Sequence, residues 1–296
     1  MMNKINSEGF APVTGGKVWY RVVGAEKKGV PLLTLHGGPG ASHGYMTSLD
    51  VFSEERPVVF FDQLGCGRSD NPKDESLWTI ERYAEELGQV RDFLGLGRTH
   101  ILGHSWGAMI AAKYMLSHDP KGVASLVLSA PCLSASRWYR DQREYLARMP
   151  DAIRAVIEEK EASGDYASPA YQDAMMTYYR KHVCRLDPWP DYIVEAFAGI
   201  NMDLYKHMWG PSEFTVTGTL KSYEVVGALG GIRVPTLFTA GRFDEASPAA
   251  VEDYRGRLPG AELVVFEDAA HLHFVEKGAE YAAAVREFLR KAEEKG

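Results

Sequence analysis

Apolar and polar positions follow two different periods along this chain. Short apolar runs, bounded by glycine, proline or charged residues, predict strands at 18–22, 31–35, 58–61, 100–102, 125–129, 236–240 and 262–266. From 79 to 94 the apolar residues instead recur at the spacing of one helix face, and glycines follow at 95 and 97. Strands that alternate with amphipathic helices predict an α/β fold, with a mostly parallel central sheet and helices on both faces.

The pattern changes between about residues 133 and 225. Strand-like runs stop there and are replaced by a polar, mostly helical sequence. This sequence contains nine of the 15 tyrosines. A helical insertion between two strands of a parallel sheet lies over their C-terminal ends, where open α/β folds bind ligands. We therefore predict a core formed by 1–132 and 226–296, and a helical lid at 133–225. The alternative for most of the aromatic residues is that they build the lid's own core.

The composition is that of an ordinary globular protein, with 296 residues of which 45% are hydrophobic and 25% charged. The net charge of −7 provides no basic field, so we expect neither nucleic acid nor a membrane surface as a partner. The first residues lack a signal-peptide pattern, and no apolar run approaches the roughly 20 residues of a membrane span. A cytoplasmic protein is expected. Cys66, Cys132 and Cys184 lack metal-ligand spacing, so we expect reduced thiols and no metal site.

The sequence Gly-His-Ser-Trp-Gly at 103–107 lies between a predicted strand and an alanine-rich helical run. In that context the pattern predicts a nucleophile elbow, in which two glycines allow a sharp turn that exposes the hydroxyl of Ser105. Ser105 is therefore the candidate nucleophile. The alternative is a glycine-rich turn with a solvated serine, because the five-residue pattern also arises by chance.

A serine nucleophile needs a histidine base and a carboxylate that orients it, and in this fold type the chain order is serine, acid, base. Asp244 follows the predicted strand 236–240, and His271 follows the predicted strand 262–266. Both therefore fall at the sheet edge that carries Ser105. Glu245 and Asp268 are the competing acids and His273 the competing base. For His104, inside the elbow, we expect a packing role.

A second glycine-rich turn, His-Gly-Gly-Pro-Gly at 36–40, directly follows the strand predicted at 31–35. The oxyanion of an acyl-transfer intermediate requires preorganised N–H donors. We expect the backbone N–H groups of Gly38 and Trp106 to supply them, since Pro39 has no N–H. His36 is expected to hold the turn in place.

With these residues identified, the chain resembles the proline iminopeptidase family of the α/β-hydrolase superfamily. The resemblance rests on the motifs at 36–40 and 103–107 and on Asp-Gln-Leu-Gly-Cys-Gly-Arg-Ser at 62–69, and it extends through the segment 209–219 to His271. The resemblance implies a serine enzyme that needs no cofactor or metal and removes an N-terminal residue from small peptides or cleaves amino-acid amides. It also implies that Glu213 and Glu245 bind the substrate's α-amino group. The histidine at 104 departs from the small residue that relatives often carry.

Two other functions fit the same residues. A carboxylesterase or lactonase would use the same triad on an ester, and only a requirement for a free α-amino group separates the two reactions. A non-catalytic binding protein on a hydrolase scaffold would usually lack one of the catalytic residues, all of which are present here. The sequence leaves open the preferred N-terminal residue, the stereochemistry and the oligomeric state.

Overall fold

A computed structural model describes residues 5–294 and contains an eight-stranded sheet. The strands are β1 (Ile5–Val13), β2 (Gly16–Val23), β3 (Leu32–Leu35), β4 (Val58–Phe61), β5 (Thr99–His104), β6 (Val123–Ser129), β7 (Thr236–Gly241) and β8 (Glu262–Phe266). Their order across the sheet is β1-β2-β4-β3-β5-β6-β7-β8. β1 pairs antiparallel with β2, and β2 with β4, while every other pairing is parallel. The α/β fold class and the mostly parallel sheet are confirmed.

All seven predicted strands are present, with boundaries that differ by at most two residues. The sequence pattern missed β1, whose segment mixes polar residues, glycine and proline. It is an edge strand with one neighbour and needs no continuous apolar run, because only one of its faces packs on the core. The predicted helix at 79–94 is α1, Ile80–Phe93, and the side chain of Thr79 caps its N-terminus.

Helices cover both faces of the sheet. In chain order they are α1 (Ile80–Phe93), α2 (Trp106–His118), α3 (Ala135–Ala147), α4 (Asp151–Ser163), α5 (Pro169–His182), α6 (Asp191–Ala198), α7 (Met202–Met208), α8 (Pro248–Arg257), α9 (His273–Glu276) and α10 (Gly278–Glu294), with 3₁₀ segments at His43–Glu54, Glu75–Leu77, Thr219–Ser222 and Val226–Gly231. On β4, Val59 and Phe61 pack into the core that contains α1, α2 and α8. Val58 and Phe60 face the other core, with α10 and the segment His43–Glu54. This alternation is the period of two expected of a strand buried on both sides.

Five helices, α3 to α7, are inserted between β6 and β7. Part of the insertion has a hydrophobic core of its own, in which Tyr171 and Tyr178 are buried. Trp138 and Trp209 belong instead to the main core beneath. The insertion is therefore packed internally and also fixed to the sheet. The division of the chain at 133 and 225 stays a prediction. Within residues 5–294, no helix combines the length and the apolar character that crossing a bilayer requires.

Candidate active site

Ser105 lies at the sharp turn between β5 and α2. Its backbone angles, φ 55° and ψ −119°, are rare for a residue with a side chain. The flanking glycines allow this turn, because a Cβ on Gly103 would strike the carbonyl of Gly107, and a Cβ on Gly107 would strike that of Leu35. The predicted elbow is thus formed, and it places Ser105 at the carboxyl edge of the sheet.

His271 and Asp244 meet at the same edge. Nδ1 of His271 lies 2.7 Å from Oδ1 of Asp244, and both side chains are buried. The backbone N–H groups of Gly241 and Ala246 donate to the Asp244 carboxylate at 3.1 and 2.8 Å. The carboxylate is therefore fixed from three sides, and the histidine that bonds to it presents Nε2 on its opposite side. Of the competing acids, Asp268 is exposed to solvent.

His273 lies behind this pair. Its Nε2 is 3.0 Å from Oγ of Ser129 and 2.9 Å from Oγ1 of Thr239, and its Nδ1 is 3.3 Å from the carbonyl of Ala270 and 3.6 Å from Oδ2 of Asp244. The ring is fully buried and both nitrogens face these groups. His273 therefore contacts Asp244 from behind. Because both of its ring nitrogens are engaged by buried groups, His273 is not placed to act as the base.

Burial determines the charge of His271. It lowers the pKa of His271 to about 3, so the ring is neutral at pH 7 and able to accept a proton. Burial raises the pKa of Asp244, while His273 and the two backbone N–H donors act in the opposite direction. A neutral base held by a hydrogen-bonded carboxyl group is the arrangement that activates a serine hydroxyl.

The turn at 36–40 lies beside the elbow, and Gly38 lines the same cavity as Ser105. Gln63 joins this turn to the elbow. Its backbone N–H donates to Nε2 of His36 at 3.0 Å, and its side-chain oxygen accepts the indole N–H of Trp106 at 2.8 Å. Trp106 is the first residue of α2, where backbone N–H groups have no partner within the helix. The motif at 62–69 thereby supports both expected oxyanion donors.

His104 links the turn at 36–40 to His271. The hydroxyl of Tyr45 accepts the N–H of Gly37 and lies 2.9 Å from Nδ1 of His104. Nε2 of His104 lies 3.0 Å from the carbonyl oxygen of His271. Because a carbonyl only accepts, Nε2 carries the proton and Tyr45 donates to Nδ1. Burial holds the pKa of His104 well below its usual value, which keeps the ring in this neutral form.

A cavity of about 460 Å³ brings the predicted residues together. Ser105, His271, Gly38, Glu213 and Glu245 all line it, and its walls are mainly apolar residues of the inserted helices. The indole of Trp106 is buried behind the elbow. Within residues 5–294 there is no cluster of three or more His, Cys, Asp or Glu side chains that could hold a metal ion.

Glu213 and Glu245 face this cavity as a pair of carboxyl groups. The hydroxyl of Tyr205 donates to Glu213 at 2.5 Å, and Oε1 of Glu245 lies 3.7 Å from Nε2 of His271. Oε2 of Glu245 is buried and has no hydrogen-bond partner among the described residues. Burial raises the pKa of Glu213 to about 7, and burial together with the neighbouring carboxyl groups of Glu213 and Asp244 raises that of Glu245 well above its usual value. A cation bound between two such carboxyl groups favours the ionised form of both.

Comparisons with known proteins show which family the chain resembles. A family model described as the alpha/beta hydrolase fold matches residues 30–278. The chain is 42% identical over 284 residues to a proline iminopeptidase of Heyndrickxia coagulans, covering 96% of this chain and 98% of the relative. A crystal structure of proline iminopeptidase from Mycobacterium smegmatis matches with a TM-score of 0.90 and 32% identity, over 97% of this chain and 98% of that one. The crystal structure of VinJ matches with a TM-score of 0.93 and 32% identity, over 97% and 99%.

The chain belongs to the proline iminopeptidase family of α/β hydrolases. The family resemblance drawn from the motifs is therefore confirmed.

Three contacts of this family member were not predicted from its sequence. Tyr45 and Gln63 connect the turn at 36–40 to the rest of the site, as described above. The third is the backbone carbonyl of His182, at the end of α5, which accepts the N–H groups of Glu245 and His271, each at 3.2 Å. The ring of Tyr145 stacks on that of His182, with centroids 4.4 Å apart. The end of α5 therefore joins the loop that carries Asp244 and Glu245 to the loop that carries His271. This long-range contact has no local sequence signal.

Proposed function

We propose that this chain is a metal-independent serine aminopeptidase that removes the N-terminal residue of small peptides or cleaves amino-acid amides. The observation that carries the proposal is the carboxyl pair of half-buried Glu213 and buried Glu245 in the cavity that contains Ser105 and His271. The hydrolase and aminopeptidase class is confirmed by the match to proline iminopeptidases over nearly the whole chain. The roles of the individual residues, and residues 133–225 as the lid that carries Glu213, are our proposals.

The reaction proceeds through an acyl-enzyme. Oγ of Ser105 attacks the carbonyl carbon of the N-terminal residue, and its proton passes to Nε2 of His271. The N–H groups of Gly38 and Trp106 hold the oxyanion. His271 then gives the proton to the leaving amine as the C–N bond breaks. A water molecule, deprotonated by His271, hydrolyses the ester on Ser105 and releases the free amino acid.

The carboxyl pair selects substrates with a free amine. An ammonium group loses its hydration when it enters this cavity, and that cost is offset only where carboxylates receive it. An N-acylated substrate brings a neutral amide, which leaves Glu213 and Glu245 without a cation. Since one Cα separates the amine from the carbonyl carbon, binding at the pair also places the first carbonyl, and no later one, beside Ser105. Release of one residue at a time follows from this spacing.

The test is a panel of free and N-acetylated aminoacyl arylamides with Pro, Ala, Leu or Phe, together with p-nitrophenyl butyrate. We expect turnover of the free-amine arylamides and at least 100-fold less of their acetylated forms. The matched control is Ser105→Ala, which removes the nucleophile and leaves the carboxyl pair in place. Turnover of the butyrate ester alone would assign the chain to the esterases instead and remove Glu213 and Glu245 from the site.

Three further expectations stay predictions. They are the cytoplasmic location, the absence of nucleic-acid and membrane partners, and a small peptide or amino-acid amide as the substrate. Cell fractionation with an antibody to the chain tests the first of these directly.

A further inference from the structure

The mouth of the active-site cavity is lined by exposed apolar side chains. Met176, Val194 and Met202 are 38%, 51% and 44% exposed, and all three line the cavity that contains Ser105. They come from α5, α6 and α7, so three separate helices direct an apolar residue to one opening. Single exposed apolar residues are common on protein surfaces, but their convergence on the entrance of a cavity is characteristic of a binding surface.

The direction in which a substrate lies follows from the proposed function, on which this inference rests. The amine is bound at Glu213 and Glu245, whose carboxyl groups lie inside the cavity. Only the one residue between the amine and the scissile carbonyl is enclosed with it. The leaving group of a peptide has no fixed length and must therefore extend toward solvent, past the mouth.

We propose that Met176, Val194 and Met202 form a leaving-group subsite that binds a large apolar group attached to the scissile carbonyl. The substrates that this site favours are then an N-terminal residue joined to an apolar second residue or to an apolar amine. The three side chains lose water contact only when such a group covers them, so each methylene added to the leaving group strengthens binding. Full burial of a methylene corresponds to about a fourfold change in an equilibrium constant.

The experiment measures release of alanine from L-alanine n-alkylamides, with alkyl groups from ethyl to octyl, and from their N-acetylated forms. We expect kcat/KM to rise about two- to fourfold per methylene over this series. Met176→Gln, Met202→Gln and Val194→Thr replace each side chain with a polar one of similar shape, and the ratio of octyl to ethyl kcat/KM is expected to fall by about tenfold for the triple variant. Phe93→Ser is the matched control, because Phe93 is 49% exposed on α1 and does not line the cavity.

The outcomes separate this inference from the proposed function. A kcat/KM that is independent of alkyl length, with a free amine still required, would overturn the subsite alone. A second outcome is that free and acetylated amides have equal kcat/KM values, and that these values still rise with alkyl length. It would overturn the amine-binding proposal and leave the apolar subsite in place. A triple variant that keeps the full chain-length dependence, and unfolds at the same temperature as the parent protein, would contradict the assignment to these three residues.

Discussion

Oε1 of Glu245 lies 3.7 Å from Nε2 of His271, the ring nitrogen that is not bound to Asp244. The carboxyl group that we propose binds the substrate amine is thus a neighbour of the proposed general base. Glu245 also directly follows Asp244 in the chain, so a single loop after β7 supplies both the group proposed to orient the base and the group proposed to bind the amine. In the proposed mechanism, recognition of the N-terminus and activation of Ser105 are therefore properties of one loop.

The pH profile reports the ionisation of Glu213. Burial raises its pKa to about 7, so it becomes a carboxylate, and able to bind an ammonium, as the pH rises through 7. The α-amino group of a substrate loses its proton at about pH 8. We expect kcat/KM for aminoacyl amides to rise through about pH 7 and to fall above about pH 8. The Glu213→Gln variant is expected to show a smaller rise, because Asp244 and Glu245, whose pKa values are also raised, still ionise.

His271 does not produce that rising limb, because its pKa of about 3 leaves it neutral throughout this range. An ester without an amine serves as the control substrate. Burial also raises the pKa of Asp244 to about 7, and ionisation of Asp244 affects both substrates. The rise of kcat/KM through pH 7 is therefore expected to be larger for aminoacyl amides than for the ester. Superimposable profiles for the two substrates would contradict the assignment to Glu213.

Tyr45→Phe removes one hydroxyl from the chain of contacts between Gly37 and His104. Two buried polar groups are then left without partners, which destabilises the turn at 36–40 and the backbone of His271. We expect kcat to fall about tenfold, equivalent to roughly 1.4 kcal/mol, with KM nearly unchanged. Steady-state kinetics of Tyr45→Phe measure the effect, and Tyr139→Phe, at an exposed tyrosine, is the control. A lower unfolding temperature with unchanged kcat would mean that Tyr45 has a structural role only.

Asp244→Asn keeps the shape of the side chain but removes the charge that fixes the tautomer of His271. In serine enzymes this change lowers kcat by about 10⁴-fold while the geometry is retained. We expect a loss of that order for arylamides, with an unchanged circular dichroism spectrum. The same substitution at Asp268, which is exposed, is expected to have no effect. If Asp268→Asn were the inactive variant, the assignment of the acid would be wrong.

Ser105→Gly tests the strain at the elbow. A non-glycine residue at φ 55° and ψ −119° carries strain of roughly 1–3 kcal/mol, whereas glycine adopts such angles freely. Ser105→Ala removes the hydroxyl but keeps the strain. We expect Ser105→Gly to be more stable than Ser105→Ala by about 1 kcal/mol in chemical denaturation, with both variants inactive. Equal stability would show that the turn is not strained.

The location of the candidate catalytic residues at one sheet edge was predictable because it follows from topology. Parallel strands end at one edge, so residues that directly follow β5, β7 and β8 meet there wherever the chain between them runs. Ser105, Asp244 and His271 occupy those positions. Glu213 could not be placed in this way, because it lies in the helical insertion and only the family resemblance indicated it.

The unpredicted contacts of the site share a physical cause. Tyr45 and Gln63 act through hydrogen bonds to residues that are distant in sequence, and the carbonyl of His182 acts through the backbone. None of these contacts produces a periodic pattern. β1 was missed for a different reason: it pairs with β2 across the short turn at 14–15, but its segment is too weakly apolar to show the pattern of a strand.

The most direct test of the account is the ratio of kcat/KM for alanine p-nitroanilide to kcat/KM for p-nitrophenyl butyrate, in the parent protein and in Glu245→Gln. Removing one member of a carboxyl pair that holds a buried ammonium costs about 3 kcal/mol or more. The account predicts that the ratio falls roughly 100-fold, with butyrate hydrolysis within about threefold of the parent. An equal loss on both substrates would contradict it, because Glu245 would then support the base and not the substrate's amine.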